Sequence, residues 1–259
     1  MKSLVNRAKS LLILGAMTST GAIYLTATPS YAANLIHHYQ FTNNITDSVG
    51  NAHGELFNGA STSNGKLILD GIDDYVEFDE KIVPTSQSYS IALFAQQNVI
   101  QNHFVELISQ GYSGGPAFYF GHSFNRKIRI TDAGQSGIFF PSDGLLHHYA
   151  VTVDADAEVT QLYVDGNLLA TLSDAAISTS TGGTNTRLGR QFDNPGNEFF
   201  NGIIDDVRIY EGTLTASEVD SLASSSPSTS VPEPSTALAL GILGLLFGVN
   251  KMRRCRHKS

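Results

Sequence analysis

The residues of this sequence best suited to chemistry are acids set in turns. Asp47 opens the loop 47–54, which reads Asp-Ser-Val-Gly-Asn-Ala-His-Gly, and Asp205 and Asp206 lie together in a late strand-like run. Ca²⁺ takes about six to eight oxygen ligands, which turns supply as carbonyls beside carboxylates. Pairing Asp47 with Asp205 therefore predicts a calcium site. The alternative is that Asp47 and Asn51 cap a turn and that the late acids are ordinary edge charges.

Two other patterns are explained more simply by structure than by chemistry. Asp73 and Asp74 precede a strand-like run, which favours a turn over a second cation site. Residues 111–115 spell Gly-Tyr-Ser-Gly-Gly, the Gly-x-Ser-x-Gly form of a nucleophile elbow. An elbow requires a helix after the serine, whereas residues 116–120 predict a strand. The pattern therefore predicts a glycine-rich hairpin.

Neither carboxylate pairs nor histidines predict a catalytic centre. Glu77 and Glu80 are three residues apart, so they point to opposite faces of a strand and cannot share a glycosidase cleft. Adjacent histidines on a strand also point to opposite faces, and no His-x-His or His-x-x-x-His spacing that would favour Zn²⁺ occurs. We predict no catalytic residue. The histidines of the central part, for which core or surface roles are expected, are His37, His38, His53, His103, His122, His147 and His148.

Both ends of the chain carry targeting patterns. Residues 1–32 combine Lys2, Arg7 and Lys9 with apolar stretches, contain no acid and close on Ser-Tyr-Ala, which predicts a signal peptide cleaved after Ala32. Residues 231–259 contain Pro232, Glu233 and Pro234, a hydrophobic segment at 236–250 and a basic tip at 251–258.

The order of these C-terminal pieces resembles the PEP-CTERM sorting signal, which in its family is removed by an exosortase. Thirteen uncharged residues, 237–249, would form an anchor helix of roughly 20 Å, short of the roughly 30 Å hydrocarbon core. The anchor is therefore expected to be transient, with the basic tip in the cytoplasm. An ordinary short tail anchor is the alternative.

Charge and cysteine content narrow the function classes. The signal peptide and the basic tip hold eight of the 16 Lys and Arg residues and none of the 24 acids, so the exported part is strongly acidic. Such a surface repels the phosphate groups of nucleic acids, so we do not expect a nucleic acid as the partner. The same surface attracts divalent cations. The single cysteine, Cys255, lies in the tip, so the exported domain must be stable without disulfides.

The central residues predict one all-β domain over 33–222, followed by a Ser/Thr/Pro linker at 223–230. Asp165-Gly166 between two β-prone runs predicts a tight hairpin. Thr215 with Glu218 predicts the capping box of one short helix. The expected architecture is a two-sheet antiparallel jelly-roll sandwich. The predicted strands are 35–41, 66–69, 75–78, 89–95, 104–109, 117–121, 127–130, 147–154, 160–164, 167–172 and 203–210.

Five segments, in order along the chain, resemble laminin-G-like (concanavalin A-like) domains: 47–54, 69–76, 146–152, 162–166 and 200–210. Leu146 and Phe94 stand where the family commonly has Trp, and the chain has no Trp. The resemblance implies a structural calcium site formed by the carboxylates of Asp47 and Asp205 with backbone oxygens near Asn51 and His53. Asp206 and Glu55 are the second choices.

The resemblance also implies a ligand class, polysaccharide or glycoprotein. The expected function is a non-catalytic adhesion or carbohydrate-binding module, exported across the inner membrane, transiently anchored and then released to the cell surface or extracellular matrix. An enzyme acting on extracellular glycans and a structural matrix protein without a ligand are the alternatives.

Overall fold

The chain forms a β-sandwich with one helix. The computed structural model describes residues 32–111, 117–131, 135–177, 183–191, 198–225 and 227. The helix, α1, is Ala216–Ser224. The strands, in chain order, are β1 Asn34–Tyr39, β2 Gly54–Phe57, β3 Ser61–Ser63, β4 Lys66–Asp70, β5 Tyr75–Phe78, β6 Tyr89–Gln97, β7 Val105–Gly111, β8 Ala117–His122, β9 Lys127–Ile130, β10 Gln135–Phe139, β11 His147–Asp154, β12 Val159–Val164, β13 Asn167–Leu172, β14 Thr184–Leu188 and β15 Asn201–Glu211.

Several predictions fall outside the described residues. They are the signal peptide up to residue 31, the elbow-like serine Ser113, nearly all of the linker, and the sorting segment with Pro232, Glu233, Pro234 and the anchor helix. Within the described ranges, no helix is long and apolar enough to cross a membrane.

The strands pair into two antiparallel sheets. The eight-stranded sheet runs β13-β12-β11-β6-β15-β4-β3, and β1 pairs with β15 beside this path. The seven-stranded sheet runs β10-β9-β8-β7-β14-β5-β2. Seven of the thirteen strand pairings join strands that are not consecutive along the chain, so the sandwich depends on long-range pairing. This arrangement confirms the predicted all-β class with two sheets and one short helix.

The core lies between the sheets and is built from alternate residues of each strand. On β6, Ile91, Leu93 and Ala95 belong to the main core cluster, while the residues between them face outward. Tyrosine and phenylalanine supply the bulk that tryptophan would otherwise give. Phe140 stacks on Tyr149 with ring centroids 5.0 Å apart. Burying one large side chain contributes about 1.5–3 kcal/mol.

The sandwich contains its own core, because every residue of the buried clusters lies between positions 39 and 219. The helix α1 closes a smaller cluster on the outer face of the eight-stranded sheet, where Val219 packs with Tyr163 and Tyr210. A fragment spanning 32–225 therefore meets the criteria of an independent domain.

Two local predictions are confirmed in detail. At the β12–β13 turn, Asp165 has φ 49° and Gly166 has φ 78°, the left-handed values that a tight hairpin turn requires. At α1, the Glu218 backbone N–H donates to Thr215 Oγ1 over 3.3 Å, and the Thr215 backbone N–H donates to Glu218 Oε2 over 2.7 Å. These reciprocal bonds form the capping box.

Candidate functional site

Asp47, the first residue of the predicted calcium loop, is held by a histidine and by backbone amides. Its Oδ2 lies 2.6 Å from His37 Nδ1, and its Oδ1 accepts from the backbone N–H groups of His38 at 3.0 Å and Val49 at 3.1 Å. Burial alone would raise the pKa of Asp47, but the hydrogen bonds from His37 and the backbone keep it below its usual value. Both oxygens are therefore already engaged.

On β15, the acid that is linked to this loop through β1 is Asp206 and not Asp205. A register shift follows Asp205, and Asp206 takes a left-handed φ of 50°. His38 Nε2 lies 2.6 Å from Asp206 Oδ1, and Arg208 Nη2 lies 2.9 Å from Asp206 Oδ2. Two adjacent histidines of β1 thus tie the loop and β15 together, which is the role that the sequence had suggested for calcium.

The other predicted calcium ligands are also directed elsewhere. Asp205 pairs with Lys66 of β4 in register, and its Oδ1 has no hydrogen-bond partner among the described residues. Burial raises the pKa of Asp205 to about 7, and the charge of Asp206 adds to the rise. The Asp47 backbone N–H donates to His53 Nδ1 over 3.2 Å, and the carbonyl of the exposed Asn51 accepts from the His53 N–H.

Only one group of acidic or histidine side chains in the described ranges brings three candidate ligand atoms within 4.8 Å of one another. It is Asp70, Asp73 and Asp74. Asp70 Oδ1 accepts from the Ile72 N–H at 2.8 Å, and Asp74 Oδ2 accepts from the Asp70 N–H at 3.0 Å. These bonds match the predicted turn. As they are arranged, Asp47, Asn51, His53 and Asp205 do not fit a calcium ion, and a calcium site at these residues rests on the family resemblance alone.

The outer face of the seven-stranded sheet carries arginines stacked on aromatic rings. Arg129 Cζ lies 4.2 Å from the ring centroid of Phe104 and 4.3 Å from that of Tyr119. Arg190 Cζ lies 4.8 Å from the ring centroid of Tyr75. Tyr75 and Tyr119 are also buried beneath these cation–π contacts, so these two rings are poor platforms for a sugar.

A buried carboxyl, Glu106, lies beside Arg129 on this face. Gly121 of β8 pairs with Glu106 on one side and Arg129 on the other, and a Cβ there would lie 2.6 Å from Glu106 Oε2. The missing side chain lets Arg129 reach Glu106 across β8. Burial raises the pKa of Glu106 to about 8 against the opposing effect of Arg129. Because Glu106 is fully buried, no substrate reaches it in this arrangement.

A groove of about 450 Å³ lies at the β2–β5 end of the same sheet. Glu55 and Glu77 are directly opposite each other on β2 and β5, and both line the groove. Glu77 Oε2 lies 2.7 Å from Arg187 Nε. The groove is lined by His53, Gly54, Glu55, Phe57, Glu77, Phe78, Asp79 and Asn185. Sequence reasoning missed it because β2 was not predicted.

At the other end of the seven-stranded sheet, two phenyl rings are open to solvent. Phe124 in the β8–β9 turn and Phe139 at the end of β10 are each 61% exposed. Asn125 Nδ2 donates to Gln135 Oε1 over 3.2 Å, and Lys127 Nζ lies 5.8 Å from the Phe139 ring centroid. We call these five residues the hairpin surface. The available sequence signal was a phenylalanine between the turn residues Ser123 and Asn125.

Comparison with known proteins places this geometry in a fold family. Residues 70–220 match the Laminin_G_3 family of the concanavalin A-like lectin/glucanases superfamily. No curated protein sequence matches the chain significantly.

Solved structures share the fold at low sequence identity. Domain 4 of AbnA, a GH43 extracellular arabinanase from Geobacillus stearothermophilus in complex with arabinotriose, aligns with TM-score 0.62 and 22% identity over 74% of this chain and 100% of that domain. Trypanosoma rangeli sialidase in complex with sialic acid aligns with TM-score 0.56 and 14% identity over 73% of this chain and 32% of the sialidase.

The binding domain of Botulinum neurotoxin DC, in complex with rat synaptotagmin II, aligns with TM-score 0.57 and 16% identity over 73% of this chain and 51% of that one. Identities this low show a shared fold alone. The family match, in contrast, covers more than half of the 259 residues. The chain therefore belongs to the concanavalin A-like lectin/glucanases superfamily.

Proposed function

We propose that this chain is an exported, non-catalytic module that binds carbohydrate through the hairpin surface. The observation that carries the proposal is the exposure of two phenyl rings, Phe124 in the β8–β9 turn and Phe139 on β10, two segments that also carry the hydrogen-bonded side-chain amides of Asn125 and Gln135. The face of an aromatic ring is electron-rich and attracts the C–H groups of a sugar ring, while amides offer donors and acceptors to hydroxyls. Exposed apolar groups of this kind mark binding surfaces.

The fold supports the ligand class. A family described as lectins and glucanases, and a structural neighbour solved with an arabinotriose, make glycans the first class to test. Export and sorting follow from the sequence patterns at 1–32 and 231–259. We propose cleavage after Ala32, transient anchoring by 236–250 and release by an exosortase-type protease at Pro232-Glu233-Pro234, which leaves the domain at the cell surface or in the matrix.

A glycan-degrading enzyme is the second candidate, because Glu55 and Glu77 face one groove. Directly opposed residues of an antiparallel pair have Cβ atoms about 4.5–5.5 Å apart, which is compatible with the carboxylate spacing of retaining glycosidases, about 5–5.5 Å. The ion pair of Glu77 with Arg187 favours a structural role for this pair. The enzyme hypothesis can be tested by substituting Glu77 in this groove.

The binding proposal is tested with the 32–225 fragment on a glycan array at physiological salt. We expect binding to at least one glycan, and a loss of about tenfold in affinity for the double variant Phe124→Leu/Phe139→Leu, from two ring contacts of about 0.5–1.5 kcal/mol each. Ile72→Ala, which removes an even more exposed apolar side chain from another turn, should bind normally.

Three outcomes would overturn the proposal. They are the absence of binding to any glycan, binding that the double variant retains, and sedimentation showing that a second copy covers the rings. Release of reducing ends from a polysaccharide, abolished by Glu77→Gln and retained by Phe139→Leu, would establish the enzyme instead.

A further inference from the structure

The cations of the exported part are concentrated next to the hairpin surface. That part holds eight Lys and Arg residues against 24 acids. Three of the eight, Arg126, Lys127 and Arg129, lie within four consecutive residues, and Asp132 is the one acid between positions 107 and 142. An acidic domain therefore carries a locally basic stretch at 126–129, and this stretch lies beside the exposed rings of Phe124 and Phe139.

The three cations differ in what they already contact. Arg129 forms an ion pair with Glu106 and stacks on two rings, so it is committed to the fold. Arg126 Nη2 donates to Ser142 Oγ over 2.5 Å. Lys127 forms no ion pair with any described residue, and its ammonium group lies beside the exposed ring of Phe139. Of the three, Lys127 is thus the cation placed to meet a ligand that is bound on the Phe139 ring.

The short range of electrostatic forces in salt solution favours an anionic group bound close to Lys127. At physiological ionic strength the Debye length is about 8 Å, so acids farther away on the domain are largely screened from a group bound next to Lys127. The ammonium of lysine acts as a compact point charge with three donors. An anionic group held within a few ångströms of Lys127 is therefore attracted, although the domain as a whole is acidic.

We infer that the hairpin surface binds a glycan whose sugar rings carry carboxylate or sulfate groups. Phe124 and Phe139 contact the sugar rings, Asn125 and Gln135 meet hydroxyls, and Lys127 pairs with the anionic group. This inference rests on the proposed carbohydrate-binding function and adds the charge class of its ligand.

The test compares matched charged and neutral ligands on the 32–225 fragment by calorimetry. The pairs are a galacturonate oligosaccharide with its methyl ester, and a dextran sulfate oligosaccharide with unmodified dextran. We expect at least one charged ligand to bind about two- to fivefold more tightly than its neutral partner, the effect of one exposed ion pair. A short DNA duplex serves as an anionic polymer without pyranose rings.

Variants at Lys127 locate the effect. Lys127→Gln should make the charged and the neutral member of each pair bind equally, and Lys127→Arg should keep the preference for the charged member. The melting temperature of each variant checks that an exposed substitution leaves the fold intact.

The outcomes separate this inference from the proposed function. Equal or weaker binding of both charged ligands, or a preference that survives Lys127→Gln, would overturn the inference while leaving glycan binding in place. DNA binding as tight as that of the charged glycans would show that the surface recognises negative charge alone. That result would also overturn the inference. Failure to bind any glycan, charged or neutral, would remove the proposed function itself.

Discussion

Asp47 lies among donors that leave little room for another ligand. Its Oδ2 is so closely surrounded that a Cβ at Gly50 would come within 2.5 Å of it and within 2.9 Å of His37 Nδ1. Its carboxylate is buried, and a buried anion that loses a donor is left with an unmet desolvation cost. The stability of this loop should therefore depend on His37.

We expect His37→Ala to lower the free energy of unfolding by about 1–3 kcal/mol, because it leaves Asp47 Oδ2 without its ring donor.

We also expect the melting temperature of the unmutated domain to be the same in millimolar calcium and in chelator. A calcium concentration a hundredfold above Kd would add about 2.7 kcal/mol, which differential scanning calorimetry resolves easily. Ile72→Ala provides a neutral surface substitution for comparison.

A melting temperature that rises with calcium, and a response abolished by Asp47→Asn or Asp205→Asn, would show that the ion displaces His37. The calcium site implied by the family resemblance would then be correct, with the histidine acting as a stand-in for the cation.

The elements are joined by turns whose glycines differ in their surroundings. Gly166 in the β12–β13 hairpin has φ 78°, and a Cβ there would lie 2.9 Å from Asp220 Oδ1 of α1. Gly144 has φ 76°, and a Cβ there would meet nothing within 4 Å. The two positions share a backbone conformation and differ in the space around it.

We expect Gly144→Ala to cost about 1–2 kcal/mol, the penalty of a left-handed residue with a side chain. Gly166→Ala should cost slightly more, because the side-chain carboxylate of Asp220 must also move aside. Urea unfolding of both variants measures the difference. If both substitutions cost the same, the Asp220 carboxylate does not crowd position 166 in solution.

Two histidines make the stability of the whole molecule depend on pH in opposite directions. Burial lowers the pKa of His122 to about 4. Its Nδ1 lies 2.9 Å from the Ser123 carbonyl and must donate to it, so Nε2 accepts from Gln97 and has no place for a second proton. Burial tends to lower the pKa of His147, but hydrogen bonds to Asp165 and Asp143 raise it overall.

The stability contributed by a neutral His122 is complete above about pH 6.5, the pKa of an unfolded histidine, and is lost as pH falls toward 4. We therefore expect the cost of His122→Gln to be largest above pH 6.5 and to shrink by up to about 3 kcal/mol on acidification. His147→Gln should show the opposite sign, since a raised pKa contributes stability below pH 6.5 that is lost as pH rises through the folded value.

Urea unfolding from pH 4 to 8 gives both profiles. Comparing each variant with the unmutated domain cancels the contribution of Glu106, whose raised pKa lowers stability as pH rises. If the two variants showed the same pH dependence, the lowered pKa of His122 and the raised pKa of His147 could not both be correct.

The sorting hypothesis belongs to the whole chain. In a host that has the sorting protease, cell fractionation should show a processed form lacking the residues beyond about Pro234. Replacing Pro232, Glu233 and Pro234 by alanine should retain the full-length form in the inner membrane. Pro227→Ala, a proline of the linker outside the motif, should be processed normally. Recovery of only the full-length form from unmutated protein would contradict exosortase processing.

The sequence by itself determined the features that depend on neighbours within a few residues. The Asp165-Gly166 turn and the capping box at Thr215 each follow from short-range backbone geometry. These local signals, with the number of strand-like runs, were enough for the all-β sandwich, and five motif-like segments carried the family resemblance.

Only the tertiary structure decided which distant residues meet. The predictions missed β2, β3, β10 and β14, whose residues are largely polar or include glycine and which become strands because a partner strand supplies their hydrogen bonds. The bulge that turns Asp206 toward His38, in place of Asp205, follows from pairing across more than 160 residues. Whether Phe124 and Phe139 are buried or open depends likewise on what packs over them, because side-chain burial is a property of the assembled sheets.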